Sequence, residues 1–104
     1  MNNPKPRFRL RFRLCPKETG LRAIGAGPRG WDLLYGDMRI GCVSPLGGGW
    51  RGPVIGWYWV ASEGSIGVPW CNTCRVPYAT PEEAKAACMA YVRECLNKID
   101  KESR

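Results

Sequence analysis

Residues 7–14 read RFRLRFRL, an arginine alternating with phenylalanine or leucine four times without a break. A period of two fits a β-strand, whose side chains leave alternately on opposite faces. It fits no helix, which would scatter both sets around its circumference. One face of such a strand is apolar and needs a core, while the other is a row of guanidinium groups. Lys5 and Lys17 flank the row, so residues 1–17 hold six bases and no acid. The rest of the chain carries ten bases against nine acids, which makes the formal charge of +7 largely a property of one segment.

At 104 residues the chain suits a single domain spanning 1–104, with 1–6 and 100–104 expected to fray. Its longest apolar run, VIGWYWVA at 54–61, is far short of the ~20 residues that a membrane helix needs. The N-terminal residues contain no apolar stretch of a secretory signal. The expectation is therefore a cytoplasmic protein without a membrane partner. In a reducing compartment the six cysteines read as free thiols rather than a disulfide framework. Histidine is absent, which removes the commonest general base and the commonest metal ligand.

Along the chain, Gly36-Asp37 between WDLLY and MRIGCV predicts a β-hairpin. Residues 44–53, SPLGGGWRGP, read as a flexible loop, and Leu21–Ile24 as a short extended piece. The run 54–61 is β-branched and aromatic, with Ile55, Trp57 and Trp59 on one face and Val54, Tyr58 and Val60 on the other. Pro69 and Pro77 limit the ladder of the segment that follows. A helix is expected from Pro81 to Asn97: Thr80 is the N-cap, Pro81 takes the first helical position and Glu83 completes a capping box. Ala84, Ala87, Cys88, Tyr91, Val92, Cys95 and Ile99 form its apolar stripe, and Lys85, Arg93 and Lys98 point elsewhere. The expected fold is α+β, an antiparallel sheet of four to five strands with one C-terminal helix packed on one face.

Several motifs suggest chemistry. GAGPRG at 25–30 has glycines at dinucleotide-turn spacing but contains Pro28 and precedes a strand instead of a helix, so it is set aside. Cys71 and Cys74 form a C-x-x-C, half of a structural zinc site. Cys88 and Cys95 stand about 10 Å apart along one helix, so at most one of them joins the same metal. The simpler reading makes Cys88 and Cys95 core residues and Cys71 and Cys74 thiols near a turn, with no cofactor. No set of residues has the arrangement of a catalytic centre, so a non-enzymatic role is expected.

The arginine row remains. Arg7, Arg9, Arg11 and Arg13 stand about 6.5–7 Å apart on an extended strand, close to the spacing of phosphates along one nucleic-acid strand. Guanidinium groups also bind phosphates and carboxylates bidentately. With Lys5 and Lys17 they form the candidate surface for an acidic partner, either a nucleic acid or a host protein or nucleoprotein complex. Asp32, Asp37 or Glu18 can balance part of the row. Trp50, Trp57 and Trp59 are the aromatic candidates beside it, though a pair such as Trp57 and Trp59 on one strand face more often belongs to the core beneath the helix. Two other functions stay open: an inhibitor or homodimer using the apolar Trp-rich sheet face, and a small zinc or thiol protein.

The stretch GWYWVASEGSIGVPWCNTCRVPYATPEEAKAACMAYV, within residues 56–92, resembles the sheet-plus-helix domains of integrase arm-binding modules and plant ethylene-response factors. That resemblance implies a three-stranded sheet with one helix and DNA reading by basic residues of the sheet. Here, residues 52–84 hold Arg75 as their one base. The short, basic, Trp-rich chain with an Ala-rich terminal helix also resembles small phage and prophage accessory proteins, among them anti-CRISPR inhibitors. This second resemblance implies docking on a defence or nucleic-acid-handling complex in the cytoplasm of a bacterial host.

Overall fold

Strand β1 (Leu10–Leu14) begins a sheet that continues through β2 (Trp31–Tyr35), β3 (Met38–Gly47), β4 (Val54–Glu63) and β5 (Val68–Asn72). Helix α1 (Pro81–Glu102) follows. The computed structural model describes residues 8–17, 19–23, 27–48 and 52–102. The strands lie in the order β1-β2-β3-β4-β5, every pair antiparallel, so each strand pairs with its neighbour in sequence. The helix packs over β3, β4 and β5. The fold is α+β, with a five-stranded antiparallel sheet and, among the described residues, one α-helix on one face.

The hairpin between β2 and β3 turns at Gly36-Asp37, where Gly36 takes a positive φ of 63° that a side chain would oppose. Past the turn, a β-bulge shifts the register so that Leu34 faces Arg39 but Leu33 faces Gly41. The extra residue, Ile40, is buried in the core with Leu33 and Val43. Gly41 has its own reason to be glycine: a Cβ there would stand 2.5 Å from the Val60 carbonyl oxygen.

The helical face of the sheet forms the core. Leu33, Val43, Trp59 and Ala61 meet Ala84, Cys88 and Val92, all buried. These helical positions are spaced by four, the spacing of one helix face. Thr80 caps the helix as expected, its hydroxyl accepting from the Glu83 N–H at 3.2 Å. The Trp59 and Tyr91 rings pack with centroids 5.1 Å apart.

Four local expectations are corrected. Residues 44–47 continue β3 rather than opening a loop, because Pro45 lies past the last pairing with β2, at Val43 with Trp31. There its missing N–H costs that ladder nothing. Residues 20–23 form a 3-10 turn rather than an extended piece, and Ile24 lies outside the described residues. The helix runs to Glu102 rather than stopping at Asn97, since nothing from 98 to 102 breaks it. Lys85 does not point away from the sheet. Its ammonium lies 3.6 Å from the centroid of the Trp31 ring and 5.9 Å from that of Phe12, so a charged side chain covers the end of the sheet that the helix passes by.

Candidate basic interface

β1 is an edge strand among the described residues, pairing only with β2. Its alternation survives folding: Leu10 and Phe12 pack against the core, and Arg11 and Arg13 are exposed. Arg9, also exposed, precedes them on the same parity, and its carbonyl accepts from the Gly36 N–H at 3.1 Å. The face turned from the helix therefore carries Arg9, Arg11 and Arg13 in line. Lys17 is exposed beyond the end of the strand. Lys5, Arg7, Glu18 and Trp50 lie outside the described residues.

Two carboxylates stand against this row. Asp37, in the hairpin turn, lies 3.9 Å from Arg11, with both side chains well exposed. Asp32 is 8% exposed and sits between Arg13 at 3.3 Å and Arg39 at 2.8 Å. Burial alone would push the Asp32 carboxyl up. Hydrogen bonds from Arg39 and Arg13, with their charges, outweigh burial and hold it below the usual carboxylate value. A depressed carboxyl stabilises the fold above its unfolded value, near 3.9, and loses that contribution as pH falls through the folded value. The difference in urea-unfolding free energy between wild type and Asp32→Asn should thus be constant above about pH 5 and shrink below about pH 4. A difference that stays flat through the acid range would rule the clamp out.

Arg39 is a member of the surface that composition did not single out. Its signal was available in the hairpin, since the Gly36-Asp37 turn sets Leu34 opposite Arg39 and places that arginine two strands from Arg11. Arg29 also reaches this end of the sheet, its Nε donating to the Cys15 carbonyl at 2.9 Å.

The aromatic candidates are corrected. Trp59 is 4% exposed beneath the helix, and Trp57 packs against the same core with its ring 5.9 Å from that of Trp31. Neither is a surface beside the arginines. Of the other aromatic side chains, Tyr58 on β4 has the opposite parity, and Trp70 on β5 is 69% exposed where a register shift interrupts the ladder with β4.

The cysteines are buried or half-buried. Cys88 is buried, and desolvation pushes its thiol up to about 12, so it stays protonated. Cys71 and Cys95 pack against the core, whereas the backbone N–H of Cys74 donates to the Asn72 side chain in a turn. The C-x-x-C is therefore split, with one thiol on a strand and the other in the turn after it. Among the described residues no group of three or more Cys, Asp or Glu side chains is placed to hold a metal ion. No helix there is long and apolar enough to cross a membrane.

Comparison with protein-family models, curated proteins and solved structures gives no match. The functional reading therefore rests on the geometry of the sheet and its charges.

Proposed function

We propose that this chain is a non-enzymatic binding protein that docks on an acidic partner through the arginine face of β1. The partner would be a nucleic acid or a nucleic-acid-handling complex of a bacterial host, in keeping with the resemblance to small phage accessory proteins. One observation carries the reading: Arg9, Arg11 and Arg13 along the edge strand and Arg39 two strands in share one face, against the carboxylates of Asp32 and Asp37. The Arg11–Asp37 pair is solvent-exposed, so water and salt screen it. Exchanging it for a partner's acid costs little.

The triple variant Arg9→Ser, Arg11→Ser, Arg13→Ser should retain the fold and lose affinity for a fluorescent single-stranded oligonucleotide. If each arginine neutralises one phosphate, the slope of log affinity against log salt should fall by about two. An unchanged slope and affinity would overturn nucleic-acid docking by this row.

A second reading has support of its own. Tyr58 and Val60 face away from the helix, and Trp70 on the neighbouring strand is exposed, apolar groups for a second copy or an inhibitor's target. The version of this reading built on Trp57 and Trp59 falls, because the helix side of the sheet takes both. A dimer that persists in high salt, measured by sedimentation, would favour the apolar surface.

A further inference from the structure

We infer that the outer edge of β1, which pairs with no further strand among the described residues, accepts an extended acidic segment of a partner protein as an added strand. The inference rests on the basic surface proposed above and names the kind of partner it takes.

The backbone supplies the first part. The Cys15 N–H donates to the Gly30 carbonyl, and the Gly36 N–H donates to the Arg9 carbonyl. In an antiparallel ladder alternate residues turn both backbone groups to the same neighbour. Residues 9, 11, 13 and 15 therefore spend their groups on β2. Leu10, Phe12 and Leu14 turn theirs outwards, and among the described residues no strand takes them up.

The side chains supply the second part. An added strand would set its side chains about 4.5–5.5 Å from those of β1. On one face these neighbours are Arg9, Arg11 and Arg13. On the other they are Leu10, Phe12 and Leu14, and Leu14 is 43% exposed with Phe8 58% exposed just before the strand. The helix packs over β3 to β5 and leaves this margin to Lys85. A segment alternating Asp or Glu with an apolar residue answers both faces at once.

Charge decides against the other occupants. A second copy pairing edge to edge about a two-fold axis normal to the sheet sets arginine row beside arginine row, and like charges directly opposite are destabilising. A phosphate backbone accepts hydrogen bonds but donates none, so it would meet the outward carbonyls of Leu10, Phe12 and Leu14 without pairing them. A peptide strand offers donors and acceptors in alternation, as the edge does.

The test uses the full chain and a labelled synthetic peptide of about nine residues alternating glutamate and valine, measured by fluorescence anisotropy. Two further peptides are N-methylated, one at every valine and one at every glutamate. Only one set of amides faces β1: the valines in an antiparallel strand, the glutamates in a parallel one. The inference expects one methylated peptide to bind at least about tenfold more weakly and the other to bind nearly as the parent does. If both methylated peptides bind like the parent while binding still needs the arginines, the basic surface stands and strand addition falls. Binding of a single-stranded oligonucleotide without binding of the peptide also rejects strand addition alone. Binding of neither rejects both.

Discussion

Trp59→Ala is expected to lower the unfolding free energy by about 3–5 kcal/mol, the range for removing a buried tryptophan or phenylalanine. Trp59 is 4% exposed at the centre of the core, facing Tyr91 of the helix across 5.1 Å between ring centroids. Its loss leaves a cavity between β4 and α1 that backbone hydrogen bonds on both elements resist closing. Domains of this size have a total stability of about 5–15 kcal/mol, so the variant should unfold at a much lower urea concentration and be partly unfolded at 37 °C. A midpoint within experimental error of the wild type would mean that the helix does not rest on this ring.

Gly41→Val should cost about 3 kcal/mol or more, by overpacking instead of a cavity. A Cβ at residue 41 would stand 2.5 Å from the Val60 carbonyl oxygen and 3.3 Å from the Ala61 Cα, both of them backbone. Neither can swing aside as a side chain end would. The strands must separate or the bulge that buries Ile40 must move, and both disturb the core. Thermal unfolding of Gly41→Val beside Ile40→Val separates the two causes: the second variant removes one methyl group and should cost about 0.5–1.5 kcal/mol. Equal losses would assign the bulge to the packing of Ile40 and not to the backbone approach.

Where local chemistry decides structure, the chain could be read directly. The Gly36-Asp37 turn, the Thr80 cap and the apolar stripe from Ala84 to Val92 each specify one answer, and each forms as expected. The alternation of β1 likewise placed its arginines on one face. What stayed hidden depended on neighbours distant in sequence. Pro45 and Gly47 look like loop residues until the short reach of β2 leaves that part of β3 free of a second partner. Lys85 looks like a solvent residue until Trp31 arrives beneath it. The tryptophans were ambiguous because a strand apolar on both faces does not say which face the helix will take. For the basic surface, Arg9, Arg11 and Arg13 were legible from their spacing. The clamp on Asp32 required the register that joins it to Arg13 and Arg39.

The strictly sequential order of the sheet also has a kinetic side. Each pairing joins strands that are consecutive in the chain, and the connections 36–37, 48–53 and 64–67 are short enough to close at small entropic cost, whereas residues 15–30 separate β1 from β2. Among the described residues β1 and β5 are the two end strands, and detachment of β1 would break one ladder and leave the pairing of β2 to β5 intact. The arginine strand can thus leave while those pairings hold, at the cost of the packing that Leu10 and Phe12 make against the core, a sub-global excursion from the native state.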